Sequence, residues 1–185
     1  NNIREKNISL VNRGESYGIS KSDIDLILPK KINEGIAIEY YGRTVRTTPL
    51  NPVVNANATI QDNSVVYEGV FGPKTTLVYT PLLSGVKEDI ILSQYIADAS
   101  FSFVVETNGF NLYNNEKGCY VGRNEDRPYF DFGEIIIYDA IGKPSIGDIT
   151  VEPIEEGKRY IMTITVDDAF LSDAEDIYDV KTTTD

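Results

Sequence analysis

The chain has 185 residues, 41% of them hydrophobic, and a formal net charge of −12 at pH 7. This length and apolar content suffice for a folded core and exclude an acidic disordered tail. The charge disfavours nucleic acid and anionic lipid as partners, because phosphate groups carry the same sign. We expect no direct membrane insertion either, since the sequence holds no long apolar run.

The apolar residues are of the kind that favours strands. Ile and Val together number 37 against 18 for Leu and Ala, and with Thr the β-branched residues number 51. Side chains branched at Cβ lose freedom in a helix and pack well on a pleated surface. The composition therefore predicts a strand-rich protein.

Short alternating runs separated by turn residues predict the strands of the first third. We expect strands at residues 6–11, 16–20 and 24–28, followed by one longer strand at Ile36–Val45 with Tyr40 and Tyr41 on opposite faces. The segment 47–63 is rich in Pro, Asn and Asp, which favours a loop with one short strand at Ala58–Gln61. The prediction is a single β-rich domain over residues 1–185, with a subdivision near 47–63 as the alternative.

The rest of the chain is more regularly patterned. Strands at 64–70 and 75–80 flank a turn, and a strand at 85–93 follows, in which Lys87, Glu88 and Asp89 are expected to be solvated. Asn108-Gly109 predicts a tight hairpin turn. Further strands are expected at 101–107, 110–113, 119–122, 134–138, 148–151, 158–166 and 177–181, and one helical turn at 167–174.

Many short strands with frequent turns predict the fold class. We expect an all-β protein, a β-sandwich or open barrel of many short, mainly antiparallel strands, with at most one short helix. The sequence shows no repeat of fixed period, which disfavours a solenoid.

The residue inventory disfavours catalysis. The chain contains no histidine and one cysteine, so it lacks the commonest general base, every Ser–His or Cys–His pair, and the usual zinc ligands. No glycine-rich phosphate loop is present. Cys119 lies between apolar neighbours, which favours a small core residue over a nucleophile. We therefore expect a non-enzymatic protein that needs no cofactor.

Carboxylates leave two alternatives open. Pairs such as Asp23 with Asp25, Glu125 with Asp126, or Asp131 with Glu134 could in principle flank a glycosidic bond. The chain has no Trp, however, and sugar-cleaving clefts usually stack substrate on Trp. Asp167-Asp168 and Asp173-Ala174-Glu175-Asp176 could supply oxygen ligands to calcium, although their spacing is not that of an EF-hand.

Tyrosines supply the candidate ligand-binding residues. Three of the 12 tyrosines, Tyr113, Tyr120 and Tyr129, lie around turns in the middle of the chain, where their rings could stack on sugars. The alternative is that these rings are half-buried strand residues. The functional hypotheses are thus a structural or interaction module, a carbohydrate-binding β-sandwich, and a carboxylate-dependent enzyme.

One stretch resembles a known family. The phrases VVYEGVFG at Val65–Gly72, LVY at Leu77–Tyr79 and SGVKEDIIL at Ser84–Leu92 are similar to a segment of large wall-associated RHS or YD-repeat proteins of Firmicutes, which often carry a DNRLRE-type domain. IYDAIGKP at Ile137–Pro144 and FLSD at Phe170–Asp173 are similar as well. In such relatives a Tyr-Pro-Val phrase ends the segment, whereas Asp179 replaces that proline here.

The resemblance implies a piece of a larger, secreted, wall-associated or adhesive protein, and it implies no catalytic residues. The expected location is extracellular and cell-wall associated. The expected partners are the other domains of the parent chain, with cell-wall or host glycans as further partners. The resemblance also suggests a crosslink between a buried Lys and an Asn or Asp side chain.

Overall fold

A computed structural model describes residues 8–20, 24–82, 85–93, 96–132, 136–138, 144–146, 148–166 and 178–184, with 136–138, 144–146 and 178–184 described as backbone only. One turn of 3-10 helix at Ile32–Glu34 accompanies the strands. The strands are β1 (Leu10–Asn12), β2 (Ser16–Ile19), β3 (Ile24–Pro29), β4 (Ile36–Tyr40), β5 (Arg43–Pro49), β6 (Ala58–Gln61), β7 (Ser64–Glu68), β8 (Thr75–Leu82), β9 (Gly85–Leu92), β10 (Ser100–Glu106), β11 (Asn111–Asn115), β12 (Gly118–Gly122), β13 (Pro128–Asp131), β14 (Ile136–Tyr138), β15 (Pro144–Ile146), β16 (Asp148–Glu155), β17 (Arg159–Thr165) and β18 (Tyr178–Thr184).

These strands form three antiparallel sheets. The large sheet has the order β1-β2-β3-β4-β5-β10-β17-β16, and the second sheet has the order β15-β14-β18-β9-β8-β7-β6. A small sheet contains β11-β12-β13. Within the described residues the protein is all-β, which confirms the predicted fold class. None of the described helical residues forms a segment long and apolar enough to cross a membrane.

The core lies between the large and second sheets. Along β10 and β17, buried and less buried residues alternate, as expected when one face of a strand packs inward. Phe103 and Met162 are directly opposite each other in the large sheet, and both contribute to one hydrophobic cluster with Leu77 and Ile90 of the second sheet. Buried residues from before and after segment 47–63 belong to this same cluster.

Polar contacts join the two sheets along one side. Lys31 and Asn57 form a backbone bridge, flanked by hydrogen bonds from Ala58 N to Lys30 O (2.8 Å) and from Ile32 N to Ala56 O (3.0 Å). Inside the core, the Tyr67 hydroxyl of β7 donates to the Pro29 carbonyl at the end of β3, at 2.6 Å. The sandwich is therefore closed by hydrogen bonds on the side where β3 meets β6.

Two tight turns explain where the strand prediction was right and wrong. At Asn108-Gly109 both φ angles are positive (53° and 99°), as a two-residue hairpin turn requires, and the predicted turn is confirmed. The predicted single strand at Ile36–Val45 is wrong. Tyr41 and Gly42 have φ angles of 48° and 74° and turn the chain between β4 and β5. Tyr41 is therefore a turn residue and not the partner of Tyr40 on an opposite strand face.

Other differences concern strand length and short strands. Strands β13 and β15 were not predicted, and β16 extends to Glu155, beyond the expected 148–151. Strand β16 contains Pro153 and lies at the edge of the large sheet, where a missing N–H leaves no partner unpaired. The predicted helical turn at 167–174 lies outside the described residues.

Replacing Phe103 tests the two-sheet core. Phe103 is 1% exposed and its ring packs edge-on against Phe71, with centroids 5.6 Å apart. We expect Phe103→Ala to lower the free energy of unfolding by about 3–5 kcal/mol, because it leaves a cavity between the sheets. Urea denaturation measures the change. Ile60→Ala, at a position 44% exposed on edge strand β6, is the control and should cost less than about 1 kcal/mol.

Candidate functional site

The structure brings together two of the three predicted tyrosines. Tyr113 on β11 and Tyr120 on β12 are directly opposite in the strand pair, and their ring centroids are 5.3 Å apart at 31°. Tyr120 is buried, and its hydroxyl donates to the Glu125 carbonyl (2.9 Å) and accepts from Asn115 Nδ2 (3.1 Å). Tyr120 therefore packs beside the ring of Tyr113 on the same face of the small sheet, and Tyr113 is the half-buried member of the pair.

Tyr113 lines an open groove of about 370 Å³ between the small sheet and the edge of the large sheet, called here the tyrosine groove. Strand β11 supplies one wall, and strand β16 with the start of β17 supplies the other. The side chains that give it its chemical character are Asn111, Tyr113, Asn114, Pro153, Glu156 and Tyr160. Asn114 Nδ2 donates to the Ile149 carbonyl at 2.8 Å, which links the two walls.

Hydrogen bonds hold the polar groups of the tyrosine groove in place. Asn111 Nδ2 donates to Tyr113 Oη, and Tyr160 Oη donates to Asn111 Oδ1, both at 3.2 Å. The Gly157 N–H donates to Tyr160 Oη at 2.7 Å, which fixes that ring against the β16–β17 turn. Carboxamide, hydroxyl and carboxylate groups around a tyrosine ring form a surface suited to a polyhydroxylated ligand.

The third predicted tyrosine lies in a different cluster. Tyr129 on β13 packs edge-on against Phe110, with centroids 5.0 Å apart, and the Arg43 guanidinium lies 4.1 Å from the Tyr129 ring centroid. Arg43 and Phe110 were not predicted as site residues. Their positions, at the start of β5 and just before β11, are distant from Tyr129 in sequence, so no local pattern could have grouped them.

A buried carboxyl group lies inside the core. Glu88 on β9 is 8% exposed and directly opposite Tyr79 on β8. Both side chains line an enclosed cavity of about 30 Å³, whose other walls are mainly apolar and include Ile38, Phe132 and Met162. The expectation that Glu88 and Asp89 are solvated is wrong, since both are buried. The alternation of Val86, Glu88 and Ile90 on one strand face was the signal that could have shown the burial of Glu88.

Burial alters the titration of both groups. It raises the pKa of Glu88 to about 7, and the charge of neighbouring Asp89 adds to the rise. The nearby Tyr79 hydroxyl opposes that rise, although the two groups do not form a hydrogen bond of regular geometry. Burial and the Glu88 charge raise the pKa of Tyr79 well above its ordinary value.

The other groups considered in the sequence are placed as follows. Cys119 is buried, which confirms the prediction of a core residue. Burial, with a smaller effect from the charge of Asp131, raises the pKa of its thiol to about 12.

Among the candidate carboxylates, Asp25 pairs with Arg13 at 2.8 Å, and Glu125 and Asp126 lie in the exposed β12–β13 turn. Within the described parts of the chain, no three metal-ligating side chains come together. The acidic residues proposed for calcium lie outside the described residues.

The suggested Lys crosslink finds no support among the described side chains. The lysines at positions 30, 31, 74, 87, 117 and 158 are all exposed or half-buried, so none is enclosed in the core. Half-buried Lys87 forms an ion pair with buried Asp89 at 3.1 Å. Lys6, Lys21, Lys143 and Lys181 lie where side chains are not described.

Titration of Glu88 should set a pH dependence of stability. Its folded pKa of about 7 lies above the ordinary value of 4.5, so its stabilising contribution is complete below about pH 4.5 and is lost as pH rises through 7. The loss amounts to roughly 3 kcal/mol, because each pKa unit corresponds to about 1.4 kcal/mol. We expect Glu88→Gln to unfold with a flatter pH dependence than the natural chain in urea melts between about pH 4.5 and about pH 8.

Glu116→Gln, at an exposed turn position, is the matched control and should keep the natural pH dependence. An unchanged slope in Glu88→Gln would show that Glu88 does not titrate in the folded state as its burial implies.

Comparison with known proteins adds no relative. No protein-family model, curated protein or solved structure matches the chain. Membership in the wall-associated RHS or YD-repeat family therefore stays a prediction from the sequence, and functional inference depends on the geometry of the sites.

Proposed function

We propose that this chain is a non-catalytic structural and interaction module of a large secreted bacterial cell-surface protein, located at the cell wall. Its partners are the other domains of the parent chain. The segment that resembles wall-associated proteins supplies β7, β8 and β9, three consecutive antiparallel strands of the second sheet. The resemblance thus falls on a continuous structural unit, which supports its use as a guide to the parent protein.

The tyrosine groove carries a more specific candidate function, the binding of cell-wall or host glycans. The observation that favours it is the half-buried Tyr113 ring, held by Tyr120 and surrounded by Asn111, Asn114 and Glu156. An aromatic ring packs on the apolar C–H face of a sugar, and amide and carboxylate groups bond its hydroxyls. The polar side chains of the groove are already held by hydrogen bonds within the protein, so they lose little conformational freedom when a ligand binds.

The positions of the carboxyl groups favour binding over hydrolysis. Glycosidases usually place two carboxyl groups on either side of the scissile bond. Among the described residues, Glu156 is the one carboxyl group that lines the tyrosine groove. The carboxyl group whose pKa is raised, Glu88, is enclosed between the sheets.

Glycan binding by the folded domain, with and without calcium, tests the proposal. We expect saturable binding to one class of cell-wall or host glycan on an array. We expect Tyr113→Ala to weaken that binding by about tenfold in calorimetry, because it removes a stacking contact worth about 1.4 kcal/mol. Tyr17→Ala, which removes a half-buried tyrosine on β2, is the control and should bind normally.

Four results would change the assignment. Full binding by a folded Tyr113→Ala variant would remove the tyrosine groove as the glycan site. Loss of binding in EDTA would add calcium to the site. An absence of glycan binding would leave the structural role within the parent protein, and hydrolysis that vanished on carboxylate-to-amide substitution would contradict the non-catalytic assignment.

A further inference from the structure

A cluster of aromatic residues and one arginine lies at the β4–β5 hairpin, and none of its residues lines the tyrosine groove. This rim cluster consists of Tyr40, Tyr41, Arg43, Phe110 and Tyr129. We propose that the rim cluster is a second binding site, which takes the carboxylate of an acidic sugar such as a uronic acid. This site goes beyond the tyrosine groove and does not depend on it.

Arg43 is held by stacking. Its guanidinium lies 4.1 Å from the Tyr129 ring centroid and 5.5 Å from that of Phe110, and these two rings pack on each other. Arginine combines a planar charged group with an apolar face that stacks on rings, so these contacts orient its N–H donors without using them. The guanidinium is therefore positioned before any ligand arrives.

Three of the other described arginines have acidic partners of a kind that Arg43 lacks. Arg13 pairs with Asp25 at 2.8 Å, Arg46 approaches Glu106 at 4.0 Å, and Arg159 approaches Glu155 at 3.7 Å. Arg43, in contrast, makes no ion pair or side-chain hydrogen bond with any described residue. Arg43 is half-buried, and two N–H groups of its guanidinium can donate hydrogen bonds to the two oxygens of one carboxylate.

Tyr41 supplies an exposed ring next to this charge. It is 78% exposed and has a φ of 48°, a left-handed conformation in which a bulky side chain is disfavoured and Asn or Gly is usual. Its ring packs edge-on against Tyr40 at 4.4 Å, and Tyr40 is directly opposite Arg43 in the hairpin. Tyr41 and Arg43 thus both adjoin Tyr40.

This combination fits an acidic sugar better than an acidic peptide. A uronic acid carries a carboxylate on a ring whose C–H face is apolar, so one residue can use both the guanidinium and an aromatic face. The net charge of −12 disfavours extended polyanions, but charges further than about 8 Å are largely screened at physiological ionic strength, so the adjacent Arg43 guanidinium dominates for a single carboxylate. Glu39, the acidic neighbour of Tyr40 in the chain, lies on the opposite face of β4.

The test compares a uronic acid oligomer with its neutral form. Trigalacturonate and its methyl ester are titrated into the full 185-residue chain, with binding followed by backbone amide NMR shifts. We expect the acid to bind and the ester to bind at least about tenfold more weakly, since the ester cannot pair with a guanidinium. The shifts should centre on β4, the Tyr41-Gly42 turn and β13.

Variants assign the effect to the rim cluster. Arg43→Gln should lower affinity for the acid by at least about tenfold. Arg43→Lys should lower it by less, because lysine keeps the charge but lacks the planar N–H donors that bind both oxygens of a carboxylate. Tyr41→Ala should weaken acid and ester by a similar factor. Arg159→Gln removes the same charge at an exposed position of β17 and should bind normally. Tyr113→Ala should also bind normally, which separates this site from the tyrosine groove.

Several outcomes would overturn the proposal. These are no binding of either oligomer, equal affinity for acid and ester, and natural affinity in Arg43→Gln. Polyglutamate binding as tightly as trigalacturonate would show a site for acidic peptides instead. If Arg43→Gln fails to fold, the comparison of acid and ester on the natural chain decides the question alone.

Discussion

The structure depends on the apolar layer between the large and second sheets. Strands of both sheets turn one row of side chains toward this layer, and most of the fully buried residues lie in it, including Leu26, Phe103, Leu77 and Ile90. Each large apolar side chain buried there contributes about 1.5–3 kcal/mol. Because the layer is shared by strands from both ends of the chain, pairings between distant segments, such as β10 with β5 and β17, become stable together.

One position in this layer does not follow the apolar rule. Glu88 occupies an inward-facing place where a residue like Val86 or Ile90 would pack without cost. The neighbouring Tyr79 hydroxyl reduces the penalty of burial, but the charged form remains disfavoured. The carboxyl therefore links the packing of the two sheets to pH, although it lines neither of the proposed binding surfaces.

The two proposed binding surfaces lie where the sheets end. At the edge of the large sheet, β16 meets β11 and leaves the tyrosine groove. At the β4–β5 hairpin, the inward-facing row of side chains continues past the core as Tyr40 and Arg43, which the small sheet covers through Tyr129. In both places an incompletely buried ring, Tyr113 in one and Tyr41 in the other, packs against a neighbouring tyrosine. The rigid sheets thus position side chains that remain accessible.

The sequence by itself determined the fold class and most strand positions. Its β-branched residues, alternating patterns and the Asn108-Gly109 turn depend on local geometry, which a single stretch of chain contains. Local signals were weaker at Tyr41-Gly42, where a bulky residue occupies a position usually taken by Asn, and at the short strands β13 and β15. Tyr113 and Tyr120 could be grouped from the sequence because they lie on adjacent strands of one hairpin.

Only the tertiary structure decided which faces were covered and which distant residues met. The burial of Glu88 depends on the large sheet that lies over its strand, and the Arg43 contact with Phe110 and Tyr129 depends on three segments far apart in the chain. Such contacts form when whole sheets pack together, and the free energy that stabilises them comes from the core as a whole. No pattern within a single strand contains that information, because each strand shows only which residues share a face and not what lies against it.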